Sequence, residues 1–151
     1  LRVVLSRSLD LPAAARLWNT TEAPTLLAHG PAVDAAAGRR VQWLEALRAA
    51  GVRRTVLERC EPLALQQQLA ERGCNRVLWE CGPALAAAAL QQGCVQELAV
   101  VIAPKLLGGN AARTPLAELG FTAMDQVIPL QELNLQWLER DGLVQALVPP
   151  R

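Results

Sequence analysis

The chain has 151 residues, a length that suits one domain with a core of its own. Apolar residues make up 52% of the sequence and charged residues 19%, which indicates a globular rather than a disordered protein. The formal net charge is only +1, aromatic residues make up 3%, and no apolar run is long enough to cross a bilayer. These numbers argue against nucleic acid or a membrane as the main partner.

The cysteine content predicts an intracellular protein without a metal site. The four cysteines are Cys60, Cys74, Cys81 and Cys94; no two of them form a C-x-x-C pair, and the sequence has a single histidine. A zinc site is therefore not expected, and a chain of this composition does not need disulfides. We expect reduced thiols and a cytoplasmic location.

The first two thirds of the chain predict strands that alternate with helices. Short apolar runs bounded by glycine or proline are typical of buried strands, and apolar residues three or four positions apart predict helices. The predicted elements are strands at 2–5, 25–29, 52–57 and 76–80 and helices at 39–50, 62–72 and 83–92. This alternation indicates βαβ units and a mostly parallel sheet.

The pattern changes after a fifth predicted strand at 97–103. Apolar and polar residues alternate around 133–137, which predicts a strand. Asp141-Gly142 is a typical hairpin turn, and 143–148 predicts the returning strand. The tail is therefore expected to form an antiparallel hairpin that joins the parallel sheet.

The segment that says most about chemistry is Arg76-Val-Leu-Trp-Glu-Cys-Gly-Pro-Ala-Leu-Ala86. It predicts a strand that ends at Glu80, a tight Gly-Pro turn, and an alanine-rich helix. A helix that begins in this way directs free backbone N–H groups and its positive dipole end at one point. Pro83 suits the first helical position because its missing N–H costs nothing there. We therefore expect a cradle for an anionic group with a carboxylate beside it, which suggests a phosphate-bearing cofactor and a polar substrate.

Three patterns in chain order carry a family resemblance: Arg2-Val-Val-Leu-Ser-Arg-Ser-Leu-Asp-Leu-Pro12, Leu78-Trp-Glu-Cys-Gly-Pro-Ala-Leu85, and Val95-Gln-Glu-Leu98 with Ile102-Ala-Pro-Lys-Leu-Leu-Gly108. The first is similar to the strand and Ser-Arg segment that meets the adenosine end of NADPH in dihydrofolate reductases. The other two are similar to the Glu-Gly-Gly-Pro-x-Leu, Val-Asp-Glu-Leu and Ala-Pro-Lys-Leu-Leu-Gly patterns of one reductase family. Together they resemble the reductase domain of the bifunctional riboflavin-biosynthesis deaminase–reductase over nearly the whole chain. The resemblance implies an α/β, dihydrofolate-reductase-like fold, with a mostly parallel sheet flanked by helices and a C-terminal antiparallel hairpin.

The resemblance also implies an activity, a cofactor and site residues. The reaction would be NADPH-dependent reduction of 5-amino-6-(5-phosphoribosylamino)uracil, a phosphoribosylaminopyrimidine, to its ribitylamino product. Glu80 would bind the substrate, and Ser6 with Arg7 would lie near the adenine ribose and its 2′-phosphate. The cofactor's diphosphate would lie against Gly82, Pro83, Ala84 and Leu85. No catalytic residue and no metal follow from the resemblance, and a homodimer through the C-terminal hairpin is expected.

Two departures from the family pattern bear on these expectations. Cys81 stands where the family usually has glycine, and we expect the Cys81–Gly82 peptide to be cis, as in the glycine pair of dihydrofolate reductases. The family's domain also extends before Arg2, so residues 1–151 are expected to form a single, incomplete reductase domain of a longer enzyme. Two alternatives stay open: a related NADPH reductase with another substrate, and a catalytically inactive module that binds a nucleotide or completes an oligomer.

Overall fold

The computed structural model describes residues 1–31, 39–109 and 114–150. The chain divides into two compact units, Leu1–Asn75 and Arg76–Arg151. In the described ranges, the first unit contains a parallel sheet and two α-helices, and the second contains one α-helix and an antiparallel sheet. The predicted α/β class is therefore confirmed. Within the described ranges, no helix is long and apolar enough to span a membrane.

The first unit is built on three parallel strands in the order β1-β2-β3. Its elements are β1 (Arg2–Leu5), β2 (Thr25–His29), α1 (Arg39–Ala49), β3 (Arg53–Val56) and α2 (Pro62–Glu71). All five residues of β2 are buried, as expected for the central strand of a parallel sheet. The predicted strand and helix positions in this unit are confirmed, with ends that differ by at most one residue.

The core of the first unit lies between the sheet and α1. Its buried members are Leu9, Trp18, Leu27, Leu44, Leu47 and Val52. The rings of Trp18 and Trp43 meet edge to face, with centroids 5.6 Å apart. On α1, Val41, Leu44 and Leu47 lie three positions apart, a spacing that predicts one buried face. That face is only partly buried, because Val41 remains 42% exposed while Leu44 and Leu47 are in the core.

Gly51 ends α1 in a backbone conformation that other residues adopt at a cost. Its φ is +83°, its N–H donates to the carbonyl of Arg48, and the N–H of Val52 donates to the carbonyl of Leu47. This is the Schellman arrangement, in which a left-handed residue satisfies the last helical carbonyls. A Cβ at Gly51 would also lie 3.2 Å from the hydroxyl of Thr20, which already donates to the carbonyl of Ala50.

Replacing Gly51 by alanine is expected to lower the free energy of unfolding by about 1–2 kcal/mol, because a non-glycine residue in the left-handed region costs that much. Urea unfolding followed by circular dichroism measures the change. Gly108→Ala is the matched control, since its φ is ordinary and an added Cβ would meet nothing within 4 Å. Equal stabilities for the two variants would contradict the role given to Gly51.

The second unit carries α3 (Pro83–Gln91), β4 (Glu97–Ile102), β5 (Gln131–Leu138) and β6 (Asp141–Leu147). The strands form an antiparallel sheet in the order β4-β6-β5. The predicted C-terminal hairpin is thus confirmed, and β5 is its edge strand. Every residue of β5 is exposed.

Three predictions for the second unit were wrong. The hairpin does not join the parallel sheet, because among the described residues its strands pair with each other and with β4. Residues 76–80 form no strand, because no other described segment pairs with their backbone. The hairpin turn is at Glu139-Arg140, since Leu138 pairs with Asp141 and the predicted turn residues lie within β6. Glu139 takes the positive φ of 56° that the two-residue loop requires, although glycine adopts such a value more readily.

Candidate functional site

The first turn of α3 leaves backbone donors without partners inside the described part of the chain. Gly82 is the N-cap, with φ −71° and ψ 167°, and makes no side-chain cap. The N–H of Ala86 donates to the carbonyl of Gly82, while the N–H groups of Ala84 and Leu85 have no hydrogen bond to any described residue. These free N–H groups lie at the N-terminal end of the helix, which is the positive end of the helix dipole. The helix start can therefore bind an anion.

Open space lies beside these donors. A Cβ built on Gly82 would meet no atom within 4 Å, and the φ of Gly82 is one that any residue adopts. Neither packing nor backbone conformation in this structure therefore requires glycine at this position. A phosphate that approaches the backbone would fill the same space, which is a reason for glycine there.

Glu80 lies on the segment that precedes α3, two residues before the N-cap Gly82. Its side chain is exposed, and Leu78 is 81% exposed. Trp79 between them is half-buried, and its indole N–H donates to the carbonyl of Cys94 over 3.3 Å. This bond ties the segment to the end of α3 and leaves the carboxylate free to accept hydrogen bonds from a hydroxylated ligand.

Cys81 is a half-buried thiol and not an activated one. Burial raises the pKa of its thiol above the ordinary value, so the start of the helix does not produce a thiolate at neutral pH. The peptide between Cys81 and Gly82 is trans, like every peptide bond among the described residues. The expectation of a cis peptide was therefore wrong: this chain reaches the N-cap geometry of Gly82 without it.

Alkylation of Cys81 by iodoacetamide at neutral pH is expected to be slower than that of free cysteine, because its raised pKa leaves less thiolate. The rate should climb only in more alkaline buffer than free cysteine needs. Mass spectrometry of the peptide that contains Cys81, over a pH series, measures this profile. A neutral-pH rate above that of free cysteine would mean that the helix start lowers the pKa after all.

The second group of predicted site residues lies at the carboxyl ends of the parallel strands, within the first unit. Ser6 follows β1 directly, and its hydroxyl oxygen accepts a hydrogen bond from the N–H of Leu9 over 3.1 Å. The serine O–H remains available as a donor. Arg7 is exposed, and its guanidinium forms no ion pair with a described carboxylate.

Two further groups at this edge were missed by sequence reasoning. Cys60 lies in the loop after β3. Burial raises the pKa of its thiol, against the smaller lowering effects of the Arg7 charge and the Gly30 backbone. His29 ends β2 fully buried; its Nδ1 lies 2.9 Å from the carbonyl of Gly30, and its Nε2 has no partner among the described residues. Only the parallel register, which no local pattern encodes, brings the ends of the three strands together.

The predicted site residues thus form two groups, each within one unit. The carboxyl edge of the parallel sheet holds Ser6 and Arg7, and the start of α3 holds the other five: Glu80, Gly82, Pro83, Ala84 and Leu85. Open ends of parallel strands and the start of a helix are both common positions for nucleotide phosphates.

Comparison with known proteins relates the chain to riboflavin biosynthesis proteins. A family model described as the RibD C-terminal domain matches residues 1–143. The riboflavin biosynthesis protein RibD of Synechocystis sp. is 45% identical over 143 residues, which are 95% of this chain and 37% of that protein. The chloroplastic riboflavin biosynthesis protein PYRR of Zea mays is 35% identical over 149 residues, 99% of this chain and 23% of that protein.

The fold is shared with a solved structure of Acinetobacter baumannii RibD. The match has a TM-score of 0.74 at 26% identity, and it covers 98% of this chain and 37% of that one. The chain therefore spans well under half the length of each of these three relatives.

Proposed function

Because the chain belongs to the RibD C-terminal domain family, we propose that it serves the NADPH-dependent reductase step of riboflavin biosynthesis. The reaction is reduction of 5-amino-6-(5-phosphoribosylamino)uracil to its ribitylamino product. The match to riboflavin biosynthesis proteins along 95% and 99% of the chain supports this choice of pathway. That residues 1–151 form one incomplete domain of a longer reductase is part of the same proposal.

The observation that carries the proposal is the uncapped start of α3 next to an exposed carboxylate. Two free amides, the helix dipole and open space at Gly82 fit a diphosphate. In the first unit, the free guanidinium of Arg7 and the O–H of Ser6 fit a 2′-phosphate and the ribose that carries it. The donor groups thus suit NADPH.

Each residue in this proposal positions a ligand, and none is assigned a chemical step. The amides of Ala84 and Leu85 hold the diphosphate, and Glu80 accepts hydrogen bonds from the sugar hydroxyls of the substrate. When bound, the cofactor supplies the hydride that reduces C1′ of the ring-opened ribose. The protein's contribution is to hold donor and acceptor in one orientation, which converts their encounter into an intramolecular event.

A second candidate, an inactive nucleotide-binding module, is favoured by Cys81. The thiol side chain occupies the position of a family glycine, beside the proposed diphosphate. Binding without turnover would support this candidate. A related NADPH reductase with another substrate is the third possibility, and comparison of substrates separates it from the first.

We also propose a homodimer and a cytoplasmic location. Edge strand β5 exposes Leu133, Leu135 and Trp137 at 67%, 57% and 73%, which is apolar surface that a second copy can cover. The four cysteines are free thiols, as the reducing cytoplasm favours. Sedimentation at several concentrations tests the dimer: a mass of 16.3 kDa at every concentration would contradict it.

The reductase assay follows NADPH absorbance after the phosphoribosylaminopyrimidine is added to the purified chain. Oxidation of NADPH that depends on both protein and substrate, with the ribitylamino product identified by mass spectrometry, supports the proposal. NADPH binding without oxidation would favour the inactive module. Oxidation with a different sugar or pterin and not with this substrate would favour the related reductase.

A further inference from the structure

An arginine-rich cavity lies in the first unit, at the sheet edge opposite Ser6 and Arg7. It has a volume of about 700 Å³, and its lining consists of Val41, Leu44, Glu45, Arg48, Gly51, Val52, Arg53, Arg54 and Arg72. Arg53 is the first residue of β3, so the cavity opens at the amino ends of the parallel strands. None of these residues belongs to the proposed reductase site.

The cavity is positively charged, although the protein as a whole is nearly neutral. Four of the fifteen lysine and arginine residues line it against a single carboxylate, while the chain as a whole carries a net charge of only +1. The C-terminal ends of α1 and α2 add roughly half a negative charge each. The lining keeps an excess of positive charge after these are counted.

Intramolecular partners among the described residues do not account for three of the four arginines. The guanidinium groups of Arg48, Arg53 and Arg72 bond to no described side chain or carbonyl and are exposed. Arg2 offers a contrast at the same edge of the sheet, because its guanidinium donates to the carbonyls of Arg16, Asn19 and Ala23. An arginine whose role is structural forms bonds of this kind.

Capping of helix ends does not explain them either. At the end of α1, the carbonyls of Leu47, Arg48 and Ala50 already accept from Val52 N–H, Gly51 N–H and the Thr20 hydroxyl. At the end of α2, the carbonyls of Leu69 and Ala70 accept from the N–H groups of Cys74 and Gly73. The terminal carbonyls therefore do not need the arginine side chains.

The cavity also has an apolar floor. Leu44 and Val52 are buried beneath it, and Val41 stands 42% exposed, although the helical pattern predicts a core position for it. A volume of this size suits a small organic ligand. Guanidinium groups pair with phosphate oxygens in a two-pronged geometry and stack on flat rings, so the combination selects an organic phosphate.

We propose that this cavity is a second binding site, lined by none of the residues assigned to the reductase site, for a small phosphate monoester with an apolar or aromatic body. The phosphate lies among Arg48, Arg53 and Arg72, and the body rests on Val41, Leu44 and Val52. A free metabolite and the phosphorylated end of a larger ligand would present the same chemistry.

Calorimetric titration of the 151-residue chain with phenyl phosphate, inorganic phosphate and phenol tests the site. We expect saturable binding of phenyl phosphate, weaker binding of inorganic phosphate and none of phenol. The double variant Arg53→Gln/Arg72→Gln should weaken phenyl phosphate at least tenfold. Arg140→Gln, which removes one positive charge outside the cavity, in the turn between β5 and β6, should leave the affinity unchanged.

Several results would overturn the proposal. No saturation at millimolar phenyl phosphate, or equal affinity in the parent and the double variant, would remove the site. An equal loss of phenyl phosphate affinity in Arg140→Gln would show that the effect comes from the net charge of the protein and not from the cavity. A loss of affinity in Arg7→Gln would place the ligand at the opposite edge of the sheet. Arg48→Gln, measured alone and checked for unchanged thermal unfolding, repeats the test if the double variant does not fold. A larger phosphorylated ligand could also bind more tightly than phenyl phosphate and lose affinity in the same variants. That result would support the site and would identify the phosphorylated end of a larger ligand as its occupant.

Discussion

Replacing Arg7 by glutamine is expected to weaken NADPH binding by roughly ten- to a hundredfold, since a hydrogen bond to a charged group contributes about 1.5–3 kcal/mol. NADH binding should not change, because NADH lacks the 2′-phosphate that Arg7 is proposed to bind. Arg7 has the required freedom, as no described carboxylate pairs with it. Calorimetric titration of parent and variant with both cofactors measures the two effects.

Arg16→Gln is the matched control for this prediction. Arg16 is also exposed in the first unit, and it lies in the short 3-10 helix Arg16–Trp18, away from the carboxyl ends of the strands. The control should retain NADPH affinity. Equal weakening of NADPH and NADH by Arg7→Gln would show that Arg7 does not read the 2′-phosphate.

Replacing Leu27 by alanine is expected to lower the free energy of unfolding by about 2–5 kcal/mol, the usual cost of removing a buried leucine side chain. Leu27 lies in the middle of β2 with no exposed surface and belongs to the core cluster of the first unit. The loss is a large part of the roughly 5–15 kcal/mol by which domains are stable. Urea unfolding gives the measurement.

Leu106→Ala is the matched control, since Leu106 is fully exposed. Its effect should stay within about 0.5 kcal/mol, as for most surface substitutions. A Leu27→Ala variant as stable as the control would contradict the placement of the core around β2.

Local signals in the sequence were sufficient where one segment determines its own structure. Pro24 and Gly30 bound a five-residue segment with an apolar centre, and β2 occupies the interval between them. The Gly82-Pro83 pair likewise marks the start of α3, because glycine suits the N-cap and proline suits the next position. The position of the helix start, with its uncapped backbone donors, could therefore be predicted without a structure.

Predictions failed where structure depends on a distant partner. The run at 76–80 has the composition of a strand, but a strand needs a neighbour to satisfy its backbone, and none of the described segments provides one. Asp141-Gly142 is a strong turn signal, yet the cross-strand register places Gly142 opposite Trp137 and moves the turn two residues earlier. Local preference was overridden by strand pairing in both cases.

The candidate site also has a part that local sequence indicates and a part that depends on distant strand pairing. The roles of Glu80 and Gly82 rest on the family motif, whereas the meeting of Arg7, Gly30 and Cys60 rests on the register of three parallel strands. The arginine cavity was not predictable either. Its residues come from α1, the turn that follows it, β3 and the C-cap of α2, and are separated in sequence by intervals that form no motif.

The central proposal is that the start of α3 binds the diphosphate of NADPH. The most direct measurement is an amide nitrogen–proton NMR titration of the isotope-labelled chain with NADPH. The backbone amides of Ala84 and Leu85 are expected to move in a saturable manner, among the largest shifts in the spectrum. Saturable shifts elsewhere with these two amides unmoved, or no shift of any amide at millimolar NADPH, would contradict the proposal.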